Sequence, residues 1–175
     1  MITPQIATER LNLRPITPDD IDFIFELFKR SETNKYSEYP DLKTRDEAAE
    51  MYENYLKPDF DDHFRVIIEK KDTRTPMGTI GLYKYSENHK RADIGYDLLK
   101  EYWGNGYISE AVRSITDYGF NDLGLVRIEA TVEPENKRSI HVLENTGFKH
   151  EGTLKKKYYY RGAYHDELVF GLIKE

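Results

Sequence analysis

The stretch EYWGNGYISEA, residues 101–111, sets two of the chain's 11 glycines, Gly104 and Gly106, one residue apart. An apolar segment precedes them and an amphipathic one follows. A strand running into a Gly-x-Gly loop and then a helix is an anion-binding geometry. The first amides of the helix have no partner within it and point into the loop, where the dipole adds about half a positive charge. Glycine lets a bulky phosphate approach the backbone without a side chain intervening. Of the first-turn residues Ser109 and Glu110, only the serine suits an anion. A P-loop would need a Lys-Ser/Thr pair after the second glycine, and none follows Gly106. A dinucleotide fingerprint would need a third glycine where Ser109 stands. A lone Gly-x-Gly also serves as a plain turn, so the rest of the chain has to decide.

Outward from the loop, periodicity orders the chain. Residues 9–15 alternate Leu11 and Leu13 with polar neighbours and predict a strand ending at Pro15. Thr17 as N-cap, Pro18 at the first helical position and Asp19 and Asp20 at the positive end of the dipole predict a helix start. Ile21, Ile24, Phe25 and Phe28 follow at helical spacing. A second helix from Thr44 carries Ala48, Met51, Tyr52, Tyr55 and Leu56 until Pro58. Residues 64–68, 77–85 and 92–99 predict an antiparallel meander. After the loop, Ile108, Ala111, Val112, Ile115 and Gly119 mark one helix face that ends near Gly124. Residues 126–132 alternate as a strand, and 137–146 form a short helix stopped by Gly147 with Phe148 as its apolar contact. Two closing strands, 153–160 and 166–173, flank the turn RGAY. The sum is a mixed α/β sheet with helices on its faces.

Composition removes several functions. The chain has 175 residues, no cysteine, 38% hydrophobic and 33% charged residues, and a mean hydropathy of −0.76. There is neither a disulfide framework nor a thiolate nucleophile, and no run reaches the ~18 apolar residues of a membrane span. The opening MITPQIATER lacks the apolar core of a secretory signal, and the expected setting is cytoplasmic. A net charge of −6 disfavours nucleic acid as a ligand. The basic, aromatic run KKKYYYR (155–161) does not change this, because neighbours on a strand face opposite sides. The five histidines, at 63, 89, 141, 150 and 165, lack metal-ligand spacing, so no metal is expected.

TERLNLRP, ADIGYDL, YWGNGYISEA, RIEATVEPENKRSIHVLENTGF and GAYHDELVFGLI follow, in order, a pattern that resembles the GNAT superfamily of N-acetyltransferases. Within it, the chain is similar to the subgroup of ribosomal-protein N-terminal acetyltransferases, the RimJ/RimL-like enzymes. The resemblance implies one acetyltransferase domain over residues 1–175. Its fold would be α/β, a mixed, mostly antiparallel central sheet with a splayed strand pair and helices on both faces. The implied cosubstrate is acetyl-CoA, with no metal. Leu98 would offer backbone groups to the pantetheine arm. Trp103, Gly104, Asn105, Gly106, Tyr107, Ile108 and Ser109 would wrap the pyrophosphate through main-chain amides. Asn136 and Ser139 would sit beside the thioester. Glu101 stands where the family often has Gln or Arg, and its charge should turn away from a diphosphate.

Acetyl transfer needs a neutral amine, a polarised carbonyl and a proton for the departing thiolate. Backbone amides near Leu98 suit the oxyanion. The resemblance makes Asp93 the base, acting directly or through water; the alternative is a strand aspartate paired with Arg91 or Lys90. The family's usual acid is a tyrosine where this chain has Leu143, which suits a core position. Ser139 is then a candidate acid or a local cap, and Tyr158 a further candidate. The implied acceptor is a primary amine, a protein or peptide N-terminus before polyamines, amino-acid derivatives or aminoglycosides. Glu32, Glu38 and Asp41 could attract its charge or simply face water. The alternative class is a non-catalytic acetyl-CoA sensor or docking module. Monomer and homodimer both remain open.

Overall fold

The structure, a computed structural model, describes residues 3–37, 40–56 and 64–175. Its strands are β1 (Ile6–Ala7), β2 (Leu11–Pro15), β3 (Phe64–Lys70), β4 (Thr75–Ser86), β5 (Arg91–Leu98), β6 (Arg127–Val132), β7 (Lys149–Tyr160) and β8 (Ala163–Ile173). They form one sheet in the order β1-β2-β3-β4-β5-β6-β8-β7. Every neighbouring pair is antiparallel except β5 and β6. The helices are α1 (Ile21–Phe28), α2 (Arg45–Leu56), α3 (Tyr107–Asn121) and α4 (Lys137–Asn145). The mixed α/β fold expected from the sequence is the one found.

Helices cover both faces, and β3 records this in its sequence. Val66 and Ile68 pack toward α3 while Ile67 packs toward α1 and α2, so a continuous apolar run is buried from both sides. On α3 the five residues of the expected stripe are all buried. On α1, Ile24, Leu27 and Phe28 are buried, with Ile21 and Phe25 against the same cluster. The α2 stripe ends sooner than expected. Ala48 and Tyr52 are buried, but Leu56, the last helical residue, is 56% exposed. Pro58, Glu38 and His63 lie outside the described residues.

Pro18–Asp20 form a 3-10 turn that leads into α1, and Asp20 does more than favour a dipole. Its buried carboxylate accepts hydrogen bonds from the Thr17 amide (2.8 Å) and from Arg14 Nη2 (2.7 Å). Arg14 Nε also donates to Glu69 (2.8 Å), so one guanidinium ties β2 to β3 and to the start of α1. The stop of α4 is as expected. Gly147 has φ +94°, and the amide of buried Phe148 donates to the Leu143 carbonyl (3.0 Å).

The feature that positions the site is the one parallel pair. β5 and β6 pair only over Arg91–Asp93 and Arg127–Glu129. Beyond these residues β5 stays with β4 as far as Leu98, and β6 stays with β8 as far as Val132. The two strands therefore part toward their C-terminal ends. The resulting gap is the splay that the sequence pattern implied.

Candidate active site

A cleft of about 710 Å³ opens in this gap. Ile94–Leu98 of β5 form one wall and Ala130–Val132 of β6 the other. The 103–109 loop, Asn136–Ser139 of α4 and the segment around Glu32 and Tyr36 complete it. Leu143, fully packed in the core, reaches its floor.

Gly104 and Gly106 both adopt left-handed backbone, with φ +77° and +78°. Gly106 is the N-cap of α3, and the first helical hydrogen bond runs from the Glu110 amide to its carbonyl (3.1 Å). The amides of Tyr107, Ile108 and Ser109 therefore have no acceptor within the helix. A Cβ at Gly104 would meet nothing within 4 Å, so the turn is open to a ligand there. Side chains hold the loop in place. The Trp103 indole N–H donates to the Leu98 carbonyl (2.8 Å), and the Asn105 amide donates to the carbonyls of Tyr102 and Trp103 (3.2 and 3.0 Å). Arg10 lies over the Tyr107 ring (4.7 Å), donates to the Asn105 carbonyl (3.0 Å) and pairs with Glu110 (2.6 Å). Glu110 is thereby turned toward the β1–β2 junction. Glu101 pairs with Arg30 (2.9 Å) and stays outside the cleft lining.

Asn136 and Ser139 are brought together as expected, and their local roles separate. Asn136 is the N-cap of α4, its side-chain oxygen accepting from the Ser139 amide (3.3 Å). The Ser139 hydroxyl lies 2.8 Å from the hydroxyl of Tyr96 on the opposite wall. Burial pushes the Tyr96 phenol up to about 12, against the hydrogen bond from Ser139. At neutral pH it keeps its proton. Either hydroxyl can be the donor in this pair, and the arrangement in which Tyr96 donates leaves the serine proton free to be given elsewhere.

Asp93, the expected base, does not line the cleft. It is 5% exposed and sits between Lys84 (3.1 Å) and Arg91 (3.7 Å), at the last rung before the splay. The paired-aspartate alternative describes this environment, with Lys84 in the place considered for Lys90. Tyr158 is also outside the lining, on edge strand β7. Asn105 is outside as well, since its side chain is spent inside the loop.

Residues that sequence reasoning passed over also line the cleft, Tyr96 among them. Arg138 stacks over Trp103 (4.0 Å), Asp97 pairs with Arg65, and Glu133 follows the end of β6. The alternation of β5 could have signalled Tyr96, which shares a face with Ala92, Ile94 and Leu98. Nothing local distinguishes Glu133 from any other loop carboxylate.

This is a nucleotide-sized cleft at the C-terminal ends of two parallel strands, with a helix N-terminus at one side. The acetyltransferase (GNAT) domain model matches residues 10–149, and the chain belongs to that family. The uncharacterized N-acetyltransferase YoaA of Bacillus subtilis (strain 168) is 35% identical over 98% of this chain and 97% of its own length. YdaF of the same organism, a candidate ribosomal N-acetyltransferase, is 26% identical over 96% of this chain and 93% of its own. A GNAT-family acetyltransferase of Bacillus anthracis superposes with a TM-score of 0.87 at 26% identity, covering 97% of this chain and 98% of that one. A spermidine N-acetyltransferase of Vibrio cholerae, solved with CoA and spermine, shares the fold with a TM-score of 0.84 at 24% identity, covering 95% and 96%. The protein is an acyltransferase, and acetyl-CoA is the cosubstrate of its fold.

Proposed function

We propose that the protein acetylates the free α-amine of a peptide or protein N-terminus by direct attack on the thioester of acetyl-CoA. The observation that carries this reading is the state of the carboxylates lining the cleft. Among the described residues lining the cleft, Asp97 is answered by Arg65 and Glu133 faces His165 through Oε2, which leaves Glu32 as the carboxylate with no cationic side chain beside it. A single charged amine matches that balance better than a polyamine with a cation at each end.

The chemistry leans the same way. An α-amine has a pKa of about 7.7–8.0 and a lysine-like amine about 10.4, so deprotonation at pH 7 costs roughly 1 kcal/mol for the first and nearly 5 for the second. A carboxylate base suits the easier task. The loop amides of 103–109 would receive the pyrophosphate, and the amides of the splayed β5 end near Leu98 would face the thioester oxygen. Ser139, backed by Tyr96, would donate the proton that the departing thiolate takes.

Small amines are the second reading, and the Vibrio cholerae neighbour acts on one by name. Thiol release from acetyl-CoA with seryl and alanyl peptides, spermidine and an aminoglycoside separates the two. Peptides with a free α-amine are expected to be the faster acceptors near neutral pH. Turnover of spermidine with none of any peptide would replace the acceptor and keep the acetyl transfer. Acetyl-CoA binding with no amine turned over would favour the sensor alternative.

A further inference from the structure

We propose that Glu133 is the general base of the acetyl transfer and that His165 positions it and passes its proton to solvent. This rests on the acetyltransferase reading above and assigns the one role that Asp93 leaves open.

The placement comes first. Glu133 follows Val132, the last residue of β6, just where that strand has parted from β5, and it lines the cleft three residues before Asn136. Its side chain keeps 12% exposure. One carboxylate oxygen, Oε2, lies 3.3 Å from His165 Nδ1 on β8, while the other, Oε1, is buried with no hydrogen-bond partner. A buried acceptor without a donor is an unfavourable arrangement that ordinary packing removes. Because Glu133 lines the cleft, a rotation of its carboxyl would present Oε1 to a donor there, such as the amine of an acceptor.

The histidine's tautomer then fixes what the pair can do. His165 Nε2 lies 3.2 Å from the Tyr160 carbonyl, which can only accept, so Nε2 carries a hydrogen. The ring stacks on Tyr160 at 3.9 Å and is held in that orientation. Nδ1 and Oε2 can bond only if one proton lies between them, as an imidazolium with a carboxylate or as a neutral ring with a carboxylic acid. In the first form Oε1 is free to accept a proton. The amine nitrogen forms its bond to the thioester carbon and gives up a proton to Oε1. The carbon–sulfur bond breaks, and the thiolate is protonated from the Ser139 side. His165, 26% exposed, returns the amine's proton to water, and Ser139 recovers from water the proton it gave the thiolate, so no proton is gained or lost overall.

The groups facing Glu133 set its range. Burial raises its pKa above the ordinary carboxylate value, and Glu135 adds to this; His165 and, from the β7–β8 turn, Arg161 oppose it. A carboxyl raised in this way is a better base than a solvated one. Removing His165 takes away a group that favours the carboxylate, so the acid limb of activity should move to higher pH.

The test is kcat/KM against pH with acetyl-CoA and the best amine of the panel above, for wild type, Glu133→Gln, Glu133→Asp and His165→Phe. Glu133→Gln should lose at least a hundredfold at pH 7 and recover as the free amine fraction grows. Its affinity for acetyl-CoA should stay within twofold, which also reports that the fold is intact. Glu133→Asp should fall between Glu133→Gln and wild type. His165→Phe should keep measurable turnover with its acid limb at least half a pH unit higher. Glu133→Gln with rates within threefold of wild type and the same pH profile would overturn the assignment, whichever amine is used. Loss of rate in Glu133→Gln on spermidine alone would displace the peptide acceptor and leave Glu133 as the base.

Discussion

Gly104 is where sequence and backbone meet the proposed ligand site most simply. Its positive φ favours glycine, and a Cβ there would touch no protein atom within 4 Å. Gly104→Ala should therefore cost the fold only about 1 kcal/mol of left-handed strain. Its larger effect should fall on acetyl-CoA, weakened at least tenfold, or about 1.4 kcal/mol. Calorimetric titration beside a melting curve separates the two, and unchanged affinity would take the loop out of the site. Ser139 and Tyr96 form a coupled pair of hydroxyls 2.8 Å apart. Ser139→Ala should reduce kcat at least tenfold, a lower bound for a lost proton donor. Tyr96→Phe should reduce it less, and the double variant should be no worse than Ser139→Ala, because both act on one proton path. Full additivity would show that the two hydroxyls work separately. The glycines stand out as a motif and Ser139 through the family resemblance. Tyr96 and Glu133 do not, because each matters through a partner from another part of the chain.

At the level of elements, the Arg14–Asp20–Glu69 cluster carries a stability prediction. Burial would raise both carboxyls, yet the Arg14 guanidinium, with the Thr17 amide at Asp20 and Asn12 at Glu69, leaves both below their ordinary values of 3.8 and 4.5. Carboxyls depressed in the folded state contribute stability that is complete above the unfolded values and is lost as pH falls through the folded ones. Asp20→Asn should cost about 2 kcal/mol at pH 7, since it leaves a half-buried arginine short of a partner. The gap to wild type should narrow as the pH approaches 3. Denaturant melts at pH 7 and pH 3 check this, and a gap that stays constant would show that the charge is not the source. The elements themselves were read well where one face is buried, as in α3. They were read short where burial gives no alternation. β7 begins at Lys149, not near 153, and β8 at Ala163, not near 166, because β7 is exposed along almost its whole length and bulges twice against β8. The two-residue β1 gave no periodic signal at all.

Among the described residues, eight strands and helices on two faces leave a central opening where β5 and β6 cease to pair. The proposed cofactor side of that opening comes from a contiguous run, 103–109, which stands out in the sequence for that reason. The proposed acceptor side draws on the Glu32–Ser37 segment and on Glu133, with His165 of β8 behind it, which are far apart in the chain and meet only in the fold. Acceptor choice was accordingly the least legible property, and it is the central claim to test. The most direct measurement uses one peptide with a free N-terminal serine and an internal lysine, incubated with acetyl-CoA near pH 7.5, and locates the acetyl group by fragmentation mass spectrometry. The α-nitrogen is the predicted site, with one thiol released per acetyl group gained. Acetylation of the lysine side chain, or an untouched peptide beside rapid spermidine acetylation, would contradict the account.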